Sequence, residues 1–191
     1  PHTAPYLEIV KKNPKGIILS GGPSSVNGSA KSPSCDQKFF SGDHPLLGIC
    51  YGMQLMAHSL GGSVAKGKVR EFGHADITVK EESSLFKNLP EKLTVWMSHG
   101  DEVKSLPQGF VCLAKSSNDV FASMANPQKK LYGVQFHPEV VLTPLGKEIL
   151  ANFLFNVCEE KANWKMSSFI ENEIKNIRLM VGKEKAVCGM S

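Results

Sequence analysis

Apolar residues change their spacing several times along the chain, and each change predicts a different element. Two short continuous runs come first: Gly16-Ile17-Ile18-Leu19-Ser20, closed by Gly21-Gly22-Pro23, and Pro45-Leu46-Leu47-Gly48-Ile49. Runs of this length bounded by Gly and Pro predict fully buried strands. Tyr6 to Lys12 predicts a short helix ahead of them. Residues 24 to 44, rich in Ser, Gly and Asp, predict surface loop with one short helix around Gln37 to Phe40. From Gly52 to Leu60, Met53, Met56, Ala57 and Leu60 recur at helical spacing, and Gly61-Gly62 ends that helix. Between Ser63 and Phe136 the pattern turns β-rich. Ala75 to Val79, Leu93 to Met97, Phe110 to Ala114, Val120 to Met124 and Leu131 to Phe136 predict short strands separated by turn residues. Leu145, Ile149, Phe153 and Val157 then restore helical spacing from the Thr143-Pro144 pair. Residues 158 to 166 read as a polar linker. Ile170, Ile174, Ile177 and Val181 form a second amphipathic stripe, ended by Gly182 and read as packing surface.

Strand, helix, strand cluster, helix is an α/β order. It predicts an open, mostly parallel sheet with helices on both faces and a small antiparallel extension. With 191 residues the chain can bury one good core, and 41% hydrophobic residues exclude a mainly disordered polymer. Lys plus Arg exceeds Asp plus Glu by 22 − 18 = 4, spread along the chain, which argues against a nucleic-acid partner. No apolar run approaches the roughly 18 residues of a membrane span, and no signal peptide opens the sequence. Cys35, Cys50, Cys112, Cys158 and Cys188 form no CxxC pair and no even framework, so a reduced, cytoplasmic setting is expected. The opening Pro1-His2-Thr3-Ala4-Pro5 reads as a loop entering mid-domain. Lys185-Ala186-Val187-Cys188-Gly189-Met190-Ser191 reads as a buried strand stopping where its loop begins. A fragment cut at both ends is therefore expected.

Three motifs carry chemistry. Gly48-Ile49-Cys50-Tyr51-Gly52 joins a strand to a helix as a G-x-C-x-G elbow, which lifts the thiol clear of the sheet at a helix N-terminus, where the dipole favours thiolate. A lone cysteine is more often a small core residue, and the two flanking glycines at this junction reverse that preference. Gln135-Phe136-His137-Pro138-Glu139 ends another strand, so His137 can stand beside Cys50 and Glu139 can reach back to orient the imidazole. A surface His-Pro turn with a solvated Glu is the alternative. Gly21-Gly22-Pro23 follows the first strand; the backbone N–H groups of Gly22 and Tyr51 could form an oxyanion hole, or the glycines could simply make a turn.

In this order and spacing, these motifs resemble the class I (triad) glutamine amidotransferases. Cys50-Tyr51-Gly52-Met53-Gln54, Val69-Arg70-Glu71-Phe72-Gly73 and Trp96-Met97-Ser98-His99-Gly100-Asp101 are similar to the GMP synthetase branch of that family. The resemblance covers residues 1 to about 158. It implies a class I amidotransferase-like fold lacking its first strand and helix, with 159–191 as linker, helix and first strand of an ATP-pyrophosphatase (synthetase) domain. It further implies Cys50 as nucleophile, His137 as general base and acid, and Glu139 as orienter, with Gly22 and Tyr51 as oxyanion donors. Gln54 and a Ser98-His99-Gly100-Asp101 turn would hold the glutamine backbone, with Asp101 on its α-ammonium group. The competing role for Asp101 is that of a turn former beside Gly100.

The implied activity is hydrolysis of glutamine to glutamate and ammonia, feeding ATP- and Mg²⁺-dependent amination of XMP to GMP in the full-length enzyme, a homodimer. No cofactor or metal is expected in this chain, since His2, His44, His58 and His74 show no ligand spacing. Cys35, Cys112, Cys158 and Cys188 are expected to be inert. Two other classes stay open: an amidotransferase subunit of another biosynthetic enzyme or a γ-glutamyl hydrolase-like cysteine hydrolase, and an inactive interaction module.

Overall fold

The computed structural model describes residues 2–28, 32–162, 166–185 and 187. It divides into two units, Pro1–Glu160 and Lys161–Ser191. In the first, the strands among the described residues are β1 (Ile17–Leu19), β2 (Leu46–Ile49), β3 (Ser63–Val79), β4 (Lys92–Ser105), β5 (Val111–Ser116), β6 (Phe121–Asn126) and β7 (Leu131–Val134). They form one sheet in the order β1-β2-β7-β6-β5-β3-β4. β1, β2 and β7 run parallel, with Leu46 opposite Ile17 on one side and Leu131 on the other. The remaining pairings are antiparallel, so the α/β sheet is mixed and its antiparallel extension is larger than the sequence pattern indicates.

The helices are α1 (Tyr6–Val10), α2 (Tyr51–Ser59) and α3 (Gly146–Asn152). Met53, Met56 and Ala57 of α2 pack with Tyr6 of α1, Phe39, Phe40, Leu46, Met124 and Leu131 on one face of the sheet. Phe39 and Phe40 belong to the 3₁₀ turn Gln37–Phe40, where the sequence pattern puts a short helix. On the other face, Ile149 of α3 with Phe153 and Val157 packs against Leu47, Ile49, Val95 and Tyr132. Phe153–Val157 is a π-helical turn continuing α3, closed by the Cys158 N–H donating to the Phe153 carbonyl at 2.9 Å. α2 stops where Gly61 adopts a positive φ of 88°. The Gly61 and Gly62 N–H groups bond back to the His58 and Ala57 carbonyls at 3.3 and 2.8 Å, the Schellman pattern.

Three local predictions differ from the structure. β1 is not fully buried: it lies at the sheet's edge, α2 covers one face of it, and Ile18 is 47% exposed on the other. An apolar run does not say whether both faces are covered. β3 and β4 extend well beyond Ala75–Val79 and Leu93–Met97, because each keeps the other extended by pairing that runs from Ser63–Ser105 to Thr78–Lys92. The segment Ser98-His99-Gly100-Asp101, predicted as a turn, therefore lies inside β4. What looked like turn chemistry marks a bulge: Lys66 pairs with Asp101 and Glu71 with His99, leaving residues 67–70 of β3 opposite Gly100 alone.

The second unit contains α4 (Met166–Val181), capped by Gly182 at φ 57°, whose N–H donates to the Arg178 carbonyl at 2.9 Å. Its stripe residues Ile170, Ile174 and Ile177 are 43–55% exposed. The strand expected from Lys185 onward, with Cys188, falls largely outside the described residues. No helix among the described residues is long and apolar enough to cross a membrane.

The contact that positions the site is glycine on backbone. A Cβ on Gly52 would lie 2.2 Å from the Leu19 carbonyl oxygen, and one on Gly48 would lie 2.6 Å from the Gly52 carbonyl carbon. Gly52→Ala is therefore expected to cost about 1–3 kcal/mol of stability through overpacking against backbone. Gly100→Ala, whose methyl meets nothing within 4 Å, should stay within about 0.5 kcal/mol of wild type. Denaturant melts of the two variants check this, and a wild-type midpoint for Gly52→Ala would contradict the packing.

Candidate active site

Cys50 links β2 to α2 with φ 50° and ψ −106°, a conformation L side chains avoid at a cost of about 1–3 kcal/mol. Two backbone bonds hold it there. Its N–H donates to the Val134 carbonyl of β7 at 2.7 Å, and its carbonyl accepts the Gln54 N–H at 3.1 Å. The residue is buried, with its Sγ 3.8 Å from the Ser98 carbonyl and 3.7 Å from the Gln135 amide nitrogen.

His137 follows β7, and β4 pins its backbone. The His137 N–H donates to the Trp96 carbonyl at 2.9 Å. The Thr143 hydroxyl donates to the His137 carbonyl at 2.6 Å and accepts the Trp96 N–H at 3.0 Å. His137 Nδ1 lies 2.7 Å from the Glu139 carboxylate, so Nδ1 is the donor there and Nε2 is the nitrogen left for another partner. A Cβ built on Gly21 would come within 2.9 Å of His137 Cε1 and 3.4 Å of Cys50 Cβ, which shows the two side chains flanking this glycine. Interaction with the neighbouring Cys50 sulfur is the largest influence on the imidazole. Burial opposes it and the Glu139 bond adds to it, and the His137 pKa is raised to about 9.

Gly22, Cys50, Gln54, Ser98, His99 and Asp101 line one cavity of about 330 Å³. Gly22 is also shared with a second cavity, which Tyr51 lines; Tyr51 begins α2 directly after Cys50, and its hydroxyl donates to the Pro33 carbonyl at 2.5 Å. Asp101 also lines the space under the 67–70 bulge. Both N–H groups of the buried Gln54 amide are committed inside the protein, to the Asp101 carbonyl at 2.8 Å and to Gln135 Oε1 at 3.1 Å. The ring nitrogens of His99 are committed too: Nδ1 lies 2.9 Å from the Asp101 carbonyl and Nε2 3.1 Å from Glu71. Burial pushes the Glu71 carboxyl up, but hydrogen bonds from His99, Asn118 and Ser116 outweigh it and hold its pKa below the usual range.

Glu71, Gln135 and Thr143 were not singled out from the sequence as site residues. A polar side chain at the end of the buried run Leu131-Tyr132-Gly133-Val134 was the available signal for Gln135, since an apolar environment tolerates it only with partners. Burial raises the thiol pKa of Cys35 and Cys158 to about 11 and also raises that of Cys112. His74 stacks edge-on against Trp96, and His44 Nδ1 lies 3.3 Å from the Tyr6 hydroxyl. Among the described residues, no group of three His, Cys, Asp or Glu side chains could hold a metal ion.

Comparison with known proteins agrees with this geometry. Residues 1–157 match the family described as "Glutamine amidotransferase class-I". Over all 191 residues the chain is 51% identical to the glutamine-hydrolysing GMP synthases of Caldicellulosiruptor saccharolyticus and Bacillus licheniformis, but it spans only 37% of their length. A Thermoplasma acidophilum protein named as a GMP synthase subunit superposes with a TM-score of 0.75 at 31% identity, over 91% of this chain and 82% of that one. A Thermotoga maritima glutamine amidotransferase shares the fold, with a TM-score of 0.68 at 23% identity over 78% of this chain and 80% of that one. With a strained cysteine elbow beside a Glu-held histidine, and a family match across nearly all of its first unit, the chain belongs to the class I glutamine amidotransferases.

Proposed function

We propose that the chain hydrolyses the side-chain amide of glutamine through a cysteine thioester. The observation that carries this reading is the pairing of Cys50 and His137 across Gly21, with Glu139 2.7 Å from the far ring nitrogen. Cys50 thiolate attacks the amide carbon. The oxyanion that develops is taken by the N–H groups of Gly22 and Tyr51, the second at the positive end of α2. His137 gives its proton to the departing nitrogen, ammonia leaves, and a γ-glutamyl thioester remains on Cys50. Water then loses a proton to His137 and attacks the thioester; glutamate leaves and the thiolate returns. Glu139 keeps the imidazole oriented throughout.

Asp101 pairs with the α-ammonium group of the substrate by a charge-assisted bond. Gln54, Ser98 and His99 complete the glutamine pocket, Gln54 and His99 by fixing the Asp101 backbone. In the whole protein the ammonia aminates adenylated XMP to GMP. Support for this part is the likeness to glutamine-hydrolysing GMP synthases that are 50–51% identical over the whole chain. ATP and Mg²⁺ serve a synthetase domain beyond this amidotransferase, the whole enzyme is a homodimer, and it works in the cytoplasm.

Three outcomes follow. A glutamine analogue bearing an electrophile at the amide position should label Cys50 ahead of Cys35, Cys112 and Cys158, and Cys50→Ala should end ammonia release from glutamine; peptide mapping with equal labelling of the others would refute the assignment. Asp101→Asn should raise KM for glutamine by the equivalent of about 1.5–3 kcal/mol with kcat much less affected. An unchanged KM would return Asp101 to a backbone role.

The third outcome is a pH dependence. The folded pKa of His137, about 9, lies above its unfolded value near 6.5, so the protonated ring stabilises the fold. That contribution is fully present below pH 6.5 and is lost as pH rises through about 9. Its full size is on the order of 3 kcal/mol for this mostly buried ring. Cys50→Ala removes the largest cause, so its melts should be much flatter between those pH values, and the His137 ring resonances should titrate lower. Parallel melts of wild type and variant decide it.

A further inference from the structure

The side chain of Gln135 lies against the nucleophile, and its direction is set from a distance. Amide oxygen and nitrogen look alike in shape, so what fixes a buried Gln is its partners. Here the partners leave one solution. The Asp101 carbonyl can only accept, so the Gln54 amide turns its Nε2 toward it at 2.8 Å. The second hydrogen of that nitrogen meets Gln135 Oε1 at 3.1 Å. Gln135 Oε1 is thereby the acceptor, and the Gln135 Nε2 is left facing Cys50 Sγ at 3.7 Å. Behind the Asp101 carbonyl stands His99 Nδ1 at 2.9 Å, with His99 Nε2 held by Glu71. Glu71 is anchored in turn by the Ser116 hydroxyl and the Asn118 amide at 2.8 and 2.9 Å. Glu71, His99, Gln54 and Gln135 are all buried.

We infer that Gln135 donates a hydrogen bond to the sulfur of Cys50 in its thiolate form, and that Glu71 and His99 are positioning residues that aim this donor through the Asp101 carbonyl and Gln54. The inference rests on the reading of Cys50 as the nucleophile. A thiolate in a buried site needs donors, and a donor that cannot turn away stabilises the anion at no reorganisation cost. The other groups facing this sulfur are the His137 imidazole, backed by Glu139, and the Ser98 carbonyl, which can accept from a thiol but gives an anion nothing. Gln135 thus favours the charged form where the Ser98 carbonyl favours the neutral one. The same chain joins the sulfur to the backbone of Asp101, the residue placed on the substrate's α-ammonium group, so the aim of the donor and the shape of the pocket are set together.

The test is alkylation of the whole chain by iodoacetamide, mapped by peptide, with Cys35, Cys112 and Cys158 as internal references. In Gln135→Met and Gln135→Glu, Cys50 alkylation near neutral pH should slow about ten-fold or more, the fold-change expected of a bond to a charged group. At high pH, where the thiolate forms regardless, the rate should return toward wild type. Glu71→Gln should slow it by a smaller factor in the same direction. A role confined to packing predicts faster labelling of the other three thiols as the fold loosens, with no loss at Cys50. Wild-type Cys50 rates in a folded Gln135→Met overturn the inference.

Should both Gln135 variants fail to fold, the side-chain amide resonances of Gln135 in the wild-type chain are followed across pH. They should move with Cys50 ionisation and stay still in Cys50→Ala; identical behaviour in the two proteins overturns the inference. The electrophile needs no glutamine site, so the two readings fail separately. A chain that releases no ammonia yet shows the Gln135 effect loses the hydrolytic reading and keeps this one. A chain that hydrolyses glutamine without the effect does the reverse.

Discussion

A methyl group cannot be inserted between α2 and the ends of β1 and β2: Gly52 lies against the Leu19 carbonyl and Gly48 against Gly52 itself. Helix and strand therefore approach at backbone distance, and the chain between them has to reverse within Cys50 and Tyr51. That reversal is what puts Cys50 at φ 50°. A strained non-glycine residue persists only when its surroundings over-determine it. Here the β7 carbonyl of Val134 takes the Cys50 N–H, and the first turn of α2 takes its carbonyl. Release either glycine contact and the elbow can relax, the sulfur swings from its place beside Gly21, and its alignment with His137 is lost. The backbone contact comes first, and the chemistry inherits its geometry.

The electrostatics depend on the same placement. His137 is held protonated chiefly by the sulfur beside it, while its burial works in the opposite direction. An imidazolium held by a neighbouring sulfur keeps that partner only if neither side chain can turn away. Three anchors prevent that. Glu139 fixes the ring, Thr143 bridges the His137 carbonyl to the Trp96 N–H of β4, and the His137 N–H ties to the Trp96 carbonyl. Two of the three run to β4, a strand of the antiparallel part. His137 thus belongs to the parallel core by sequence and to the antiparallel ribbon by its hydrogen bonds.

Elements with their own local signal were legible from the sequence. The buried run at Leu46–Ile49, the helix ended by Gly61-Gly62, the short 3₁₀ turn at Gln37–Phe40 and the elbow at Cys50 all announce themselves through glycine punctuation and apolar spacing. The Cys50, His137 and Glu139 group was legible because strand ends place such residues on one edge of the sheet. What escaped depends on partners distant in sequence. Ser98 to Asp101 read as a turn because Gly100 and Asp101 are turn formers, whereas pairing with Lys66 and Glu71 keeps them extended. Ile18 read as buried because an apolar run does not reveal an edge. Glu71 and Gln135 were passed over because their neighbours, Ser116, Asn118 and Gln54, come from β5, from the turn after it and from α2.

The bulge shows why a long polar ribbon belongs in this fold. A regular pairing of β3 with β4 through this region would keep residues 67–70 in the ladder and leave no recess beside Asp101. Placing those residues of β3 opposite Gly100 alone opens space on the Asp101 side while pairing continues above and below it. Gly100 faces open space, with nothing within 4 Å of where its Cβ would stand, and Phe72 lines the recess from β3. Glu71, the first β3 residue to pair again after the bulge, turns inward and grips His99, which holds the Asp101 carbonyl. The same irregularity that opens the recess therefore also stiffens the wall that faces it. A shorter ribbon of uniform pairing, the form the apolar pattern suggested, could have supplied neither.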